Sequence, residues 1–271
     1  MKNNLKYRQF LPESRRVVVK IGTRVIAQRT GRPDQRRLHA LVDQVAAARR
    51  AGMEVVVVTS GAVGAGMEAL GLRERPAVVS DLQMCAAVGQ ARLMASYTRL
   101  FLDHKIRIGQ VLLTHDDFDH HVRNANAKRT LEHLLRAGVV PIINENDVVA
   151  DEELKAEFSF GDNDFLAALV VKLIRADLLV ILSTVDGVLR LDGQGRRRVP
   201  CIDRIGPEIL KLVNPGANAL SKGGMDSKLR SAQIAAKAGC SVVIGNGLKR
   251  GTLTDILAGR DVGTLILSTP M

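Results

Sequence analysis

The chain has 271 residues, 46% hydrophobic and 25% charged, enough to bury a large core and in a balance that excludes a disordered or fibrous chain. Its net charge of +11 suits anionic ligands, yet with no Trp and 3% aromatics there is little on which to stack bases, so nucleic-acid binding is not expected as a primary role. No apolar run is long enough to span a bilayer, and Cys85, Cys201 and Cys240 lie too far apart for a C-x-x-C pair, so no membrane partner, disulfide framework or cysteine metal site is expected.

The stretch Met1–Arg16 is polar and lacks the apolar core of a signal peptide, and a cytosolic setting is expected. Arg16–Lys20 predicts a first strand, ending in Lys20-Ile21-Gly22-Thr23. A lysine there can lie over a phosphate while the glycine lets the backbone approach, although a solvated strand-end lysine has the same signature. Pro33 and Gly52 bracket a helix over Asp34–Ala51. Glu54–Thr59 is a second strand, and Ser60-Gly61-Ala62-Val63-Gly64-Ala65-Gly66 follows as a glycine-rich turn into a helix. Backbone N–H groups at such a turn favour an anion; a purely structural turn is the alternative. Its G-x-G-x-x-A subset does not sit directly after the strand, as a dinucleotide site requires.

Ala77–His104 reads as a long helix with a break near Gly89, and Arg107–Thr114 as a third strand. The segment His115-Asp116-Asp117-Phe118-Asp119-His120-His121 gathers metal-ligating types but has no scaffold to fix them, and reads as a solvated loop. A helix over Asn124–Ala137 ends at Gly138, and the strand Val139–Asn144 runs into Asn144-Glu145-Asn146-Asp147. Those polar side chains suit ligand contacts and equally an Asn/Asp turn. Gly161-Asp162-Asn163-Asp164 opens a helix over Asp162–Ala176. Its acids can cap the helix, or one carboxylate can orient lysines or a metal-bound nucleotide while the amide holds substrate. Leu178–Ser183 is a fifth strand, and a hairpin is predicted about Asp192-Gly193-Gln194-Gly195. Lys222-Gly223-Gly224-Met225-Asp226-Ser227-Lys228 opens a helix over Met225–Ala238; its glycines offer N–H donors to a phosphate, and Lys228 lies about one turn in. Ser241–Gly245 and Thr264–Ser268 are the last strands.

Most of these strands are nearly continuous Val, Ile and Leu, as in a parallel sheet covered on both faces, and their alternation with helices predicts an α/β fold. Ligands in such folds bind at the carboxyl ends of the strands. There is no Gly-Lys dipeptide, which excludes a Walker A loop, and the protein-kinase catalytic loop is missing.

In order along the chain, Val-Val-Val-Lys20-Ile-Gly-Thr23, Val-Val-Val-Thr59-Ser-Gly-Ala-Val-Gly-Ala-Gly66, Gln83-Met-Cys-Ala-Ala-Val-Gly89-Gln, Gly109-Gln-Val-Leu-Leu-Thr114, Ile-Ile-Asn144-Glu-Asn-Asp147, Gly161-Asp-Asn-Asp164 and Gly223-Gly-Met225 with Lys228 resemble the amino-acid kinase family, in its glutamate-phosphorylating branch. The resemblance runs from about Arg16 to Leu267. It implies a three-layer α/β/α sandwich around a mainly parallel sheet. One domain is expected over residues 1–271, with a glutamate-binding lobe over about 16–175 and an ATP-binding lobe over about 176–271. It implies transfer of the ATP γ-phosphoryl group to the glutamate side-chain carboxylate, with Mg²⁺, as the first step of proline synthesis. Lys20, Asp164 and Lys228 would then be catalytic, with Asp164 positioning the two lysines. Ser60, Gly61, Ala62, Asp147 and Asn163 would hold glutamate. Lys20, Ser183, Thr184, Lys222, Gly223, Gly224, Met225, Asp226, Ser227 and Lys228 would contact ATP.

Three departures from the family pattern stand out. Ser183-Thr184 replaces a Thr/Ser-Asp ending, Lys222 replaces a threonine before Gly223-Gly224-Met225, and the chain stops at Met271, so a C-terminal PUA domain is expected to be absent. Lys20-Ile21-Gly22-Thr23 differs from the Lys-x-Gly-Gly of acetylglutamate and aspartate kinases; UMP kinase activity and a non-catalytic nucleic-acid-binding role remain as alternatives. Self-association, feedback inhibition by proline and functional coupling to a glutamyl phosphate reductase are implied by the resemblance alone.

Overall fold

A computed structural model of the protein describes residues 6–28, 32–149, 163–192, 195–213 and 224–269. The strands are β1 (Arg16–Ile21), β2 (Glu54–Val58), β3 (Ile108–Leu113), β4 (Val140–Glu145), β5 (Leu178–Ser183), β6 (Leu189–Asp192), β7 (Gly195–Arg198), β8 (Cys201–Ile202), β9 (Ser241–Asn246) and β10 (Thr264–Ile266). Eight of them form one sheet in the order β3-β4-β2-β1-β5-β9-β10-β8, and β6 and β7 form a separate antiparallel hairpin. All neighbours from β3 to β9 pair in parallel; β10 turns antiparallel to β9.

The helices are α1 (Thr23–Ile26), α2 (Gln35–Arg50), α3 (Ala62–Ala69), α4 (Val79–Asp103), α5 (Asp116–Asp119), α6 (His121–Arg136), α7 (Asn163–Ile174), α8 (Pro207–Val213), α9 (Met225–Lys237) and α10 (Thr252–Leu257). Successive strand residues point to opposite faces, so each valine run feeds two cores. Val17, Val19, Val55 and Val57 pack with residues of α2, α4 and α10 on one face. Val18, Val56 and Val58 pack with residues of α6, α7 and α9 on the other. Helices thus cover both faces of the sheet, giving the expected three layers.

β1 sits in the middle of the sheet, with β2 on one side and β5 on the other. Strand order reverses there, so the loops leaving β1, β2 and β5 diverge and leave a crevice at the carboxyl edge. The register brings Lys20 opposite Val58 and Ile181, and the Gly22 N–H donates to the Leu182 carbonyl at 3.0 Å. This bond ties the turn after β1 to the end of β5.

Predicted and observed elements differ mostly by a residue or two at their ends, with α6 starting three residues before its predicted Asn124. One difference has a physical lesson. α4 runs unbroken through Gly89. A Cβ at Gly89 would overlap the Ala62 carbonyl and the Gly66 N–H, and one at Gly66 would overlap the Cys85 backbone. The glycines let the backbones of α3 and α4 touch; they do not interrupt a helix. The His115–His121 segment is also more ordered than a loop. Asp117 accepts from the Thr114 N–H at 2.7 Å and hydroxyl at 3.0 Å, and α5 and the start of α6 follow. Among the described residues no group of three or more His, Cys, Asp or Glu is placed to hold a metal.

Candidate active site

Five elements deliver the polar side chains of the crevice: the end of β1, the turn after β2, the end of β4, the start of α7 and the first turn of α9. Lys20, Asp164 and Lys228 are all buried, with Asp164 only 1% exposed. Lys20 Nζ lies 2.6 Å from one oxygen of Asp164, and Lys228 Nζ lies 3.0 Å from the other. One carboxylate therefore bridges two ammonium groups brought from strands and helices 144 and 64 residues apart in sequence. Burial alone would raise the Asp164 carboxyl, but the charges and hydrogen bonds of Lys20 and Lys228 outweigh it and hold it below the usual carboxylate range. The cluster keeps a net positive charge in a place shielded from water.

Next to it is a cavity of about 90 Å³ lined by Ser60, Gly61, Asn144, Asp147 and Asn163, with Thr23 and Arg75 also on its wall. Gly61 has φ of +101° and starts α3. That left-handed conformation lets the chain reverse from β2 so that the first turn of α3 faces the cavity. A second cavity of about 270 Å³ adjoins the first and shares Ala62 and Asp147 with it.

Hydrogen bonding decides which atoms the cavity presents. Ser60 Oγ donates to the Ile21 carbonyl at 2.9 Å, which leaves its oxygen lone pairs as acceptors. The Thr59 carbonyl can only accept, so Asn163 must turn its NH₂ there, at 2.8 Å. The same NH₂ donates to Asn144 Oδ1 at 3.2 Å, and Asn144 donates in turn to Gln90 Oε1 at 2.9 Å. One backbone carbonyl thus sets the direction of three side-chain amides. Asn163 Oδ1 is left buried with no hydrogen-bond partner among the described residues, and so is Gln90 Nε2 at the far end of the relay. A buried acceptor without a partner is costly, and on a cavity wall it is a position for a ligand donor. Thr59 is held from behind as well: its hydroxyl meets the Tyr97 hydroxyl at 2.8 Å, and burial pushes the Tyr97 phenol up.

The residues expected to contact a nucleotide lie along the carboxyl edge toward β9. Ser183 ends β5 and Thr184 follows it; Gly224 precedes α9, and Met225, Asp226 and Ser227 form its first turn. The Asp226 carboxylate accepts from Arg230 along the helix at 2.7 Å, so it caps charge on its own helix. Lys222 and Gly223 lie outside the described residues, as do Gly161 and Asp162 of the Gly161–Asp164 motif. Ser183, Thr184 and Gly224–Ser227 do not line either of the two cavities.

Sequence patterns carry no signal for Tyr97 or Arg75, and Thr23 and Gln90 fall within the motifs quoted above without a role of their own. Gln90 and Tyr97 sit inside a long helix, where a polar residue facing a site has no local signature. Arg75 sits in a connection with no periodicity.

Residues 15–246 match the Amino acid kinase family. Curated relatives agree over nearly the whole chain. Glutamate 5-kinase of Moorella thermoacetica is 41% identical over 96% of this chain and 68% of its own length. The glutamate 5-kinases of Myxococcus xanthus and Streptomyces avermitilis are 44% and 46% identical, each over 95% of this chain and 68% of the relative. The chain belongs to the amino acid kinase family, in its glutamate 5-kinase branch. Solved structures support the fold at longer range. Carbamate kinase from Giardia lamblia bound to AMP-PNP superposes with a TM-score of 0.64 at 20% identity, covering 95% of this chain and all of that one. UMP kinase from Bacillus anthracis gives 0.59 at 16% identity, covering 95% and 97%.

Proposed function

We propose that this enzyme is a glutamate 5-kinase, which transfers the γ-phosphoryl group of ATP to the side-chain carboxylate of L-glutamate and releases ADP and L-glutamyl 5-phosphate. The observation that carries the reading is the bridged pair of ammonium groups beside an amide-lined cavity, in a chain 41–46% identical to curated glutamate 5-kinases.

A side-chain carboxylate oxygen attacks the γ-phosphorus, the bond to the β-phosphate oxygen breaks, and ADP leaves with its electron pair. No proton changes hands, because the acceptor carboxyl is already ionised at neutral pH. A general base is unnecessary, and Asp164, with its two oxygens facing Lys20 and Lys228, is not suited to be one. Its role is to hold the two ammonium groups in place. They offset the repulsion between an anionic nucleophile and an anionic donor, and stabilise charge on the transferring oxygens. The donor would be MgATP, in which the ion would supply Lewis-acid neutralisation of phosphate charge beside that of Lys20 and Lys228.

Glutamate fits the cavity by charge: Asp147, Asn163 Oδ1 and the Ser60 oxygen are acceptors for its ammonium. ATP is assigned to Ser183, Thr184 and Gly224–Lys228, on the same edge of the sheet, with Lys20 and with Lys222 and Gly223, which lie outside the described residues. The same reading implies a cytosolic setting, a place at the start of proline synthesis, self-association and proline feedback. It also implies a reductase that consumes the reactive acyl phosphate.

The test is ATP turnover with Mg²⁺ and L-glutamate in hydroxylamine, which traps an acyl phosphate as a hydroxamate, beside N-acetylglutamate, aspartate and UMP. Hydroxamate from glutamate alone is expected. Turnover with another acceptor, scored for UMP by ADP release, would overturn the specificity; silence throughout would overturn the reaction.

A further inference from the structure

We infer that Arg75 binds the α-carboxylate of the amino-acid substrate and so sets the preference of this site for a free α-amino acid; the inference rests on the function proposed above. Arg75 belongs to the connection between α3 and α4 and lies on the wall of the smaller cavity. Among the described residues on that wall, it and Asp147 are the charged ones.

L-Glutamate carries three charged groups. Its side-chain carboxylate must reach the Lys20–Asp164–Lys228 cluster to react. That leaves an ammonium and an α-carboxylate for the cavity. The ammonium has its acceptors in Asp147, the buried Asn163 Oδ1 and the Ser60 oxygen, whose proton is committed to Ile21. The same commitments remove two side-chain donors from the cavity. Ser60 has no proton to give, and the Asn163 NH₂ is used by Thr59 and Asn144. The Thr23 hydroxyl and backbone N–H groups at the start of α3 remain as neutral donors, with one cation, Arg75. Its side chain makes no hydrogen bond or ion pair among the described residues, and it is exposed, so it can meet a ligand without breaking a contact first. A guanidinium binds a carboxylate through two parallel N–H groups, which lysine cannot reproduce.

The role is specificity and positioning rather than phosphoryl transfer, since Arg75 contacts the end of the substrate remote from the reacting carboxylate. Its loss should therefore appear in KM.

The experiment compares wild type, Arg75→Met and Arg75→Lys in steady-state turnover of L-glutamate. L-Isoglutamine, whose α-carboxyl is a neutral amide while its side-chain carboxylate is free, serves as the matched ligand. Arg75→Met is expected to raise KM for glutamate by about 10- to 100-fold, the range for a hydrogen-bonded charge pair, with kcat within about threefold. The preference of wild type for glutamate over isoglutamine should fall by the same factor, and Arg75→Lys should lie between. An unchanged KM, or equal losses on both ligands, would overturn the inference and leave the kinase reading standing. Wild-type enzyme silent on glutamate would overturn both. Because the side chain is exposed, thermal melting of the three proteins is expected to coincide; if Arg75→Met melts early, Arg75→Lys decides, and equal losses on both ligands in that variant would sink the idea.

Discussion

A single buried carboxylate between two lysines has opposite effects on stability and on chemistry. Desolvating one anion and two cations is costly, and their mutual attraction repays it only while all three are present. Asp164→Asn leaves two ammonium groups buried side by side, and is expected to cost about 3–5 kcal/mol of stability, measured by urea denaturation at neutral pH. The sign of its pH dependence follows from the lowered Asp164 carboxyl. A depressed acid contributes stability that is fully present above its unfolded pKa of about 3.9 and is lost as pH falls through the lower folded value. The gap between wild type and Asp164→Asn should therefore hold steady above about pH 5 and close in stronger acid; a constant gap down to pH 2 would refute the assignment. The lysines report on chemistry instead. Lys20→Ala or Lys228→Ala should each lower kcat at least about a hundredfold, the scale of losing one preorganised donor, and near-normal turnover in both would refute their role. Lys20, Asp164 and Lys228 were legible from sequence as an ordered set. Arg75 was not, because a lone arginine in a loop carries no pattern.

Between elements, the contact of α3 with α4 is decided by two residues that lack side chains. Gly66 and Gly89 meet the partner helix with their backbones, where a Cβ would overlap main-chain atoms that no rotamer change can move. Gly89→Ala gains helix propensity of about 1 kcal/mol, yet overpacking a closed contact costs about 1–3 kcal/mol and sometimes more. A net loss is expected, read as a lower denaturation midpoint with an unchanged m-value; a more stable variant would show that the helices can part freely. α3 starts at the Gly61 turn that faces the cavity, so the same variant should also raise KM for glutamate. Sequence reasoning took Gly89 for a break in the helix, since glycine weakens a helix when considered alone. Only the neighbouring helix explains why it is tolerated.

Across the whole molecule, the first described turn, Lys6–Arg8, is tied to the segments around the last strands by the Arg8 side chain. Arg8 is 1% exposed and donates to the carbonyls of Pro200, Arg260, Val262 and Gly263 at 2.9, 3.1, 2.8 and 2.9 Å. Burial lowers its pKa from the ordinary arginine value. Arg8→Met would remove a donor from four carbonyls; those of Pro200, Arg260 and Gly263 keep the Leu265 N–H, the Val262 N–H and Arg198 as donors, while that of Val262 loses its side-chain partner. The variant is expected to cost about 1–3 kcal/mol in thermal or urea unfolding, with kcat unchanged because the clamp is remote from the cavities. A fall in kcat without loss of stability would contradict this division. The sequence offered no hint of the clamp, because an arginine near the start of a chain reads as solvated.

Local chemistry in the sequence by itself determined the long strands and helices, that the sheet is mostly parallel, and where along the chain anions could be bound; the short helices Pro207–Val213 and Thr252–Leu257 and the strand Cys201–Ile202 gave no such signal. Runs of valine and glycine-bounded helices require no partner to be recognised, since the preferences act over a few residues. Tertiary structure alone decided that Asp164 bridges Lys20 and Lys228, that the Thr59 carbonyl orients Asn163, Asn144 and Gln90, and that Arg75 reaches the cavity wall. Each of these depends on groups far apart in sequence meeting at the edge of one sheet. The direction of a hydrogen bond there is set by whichever neighbour cannot change its own role.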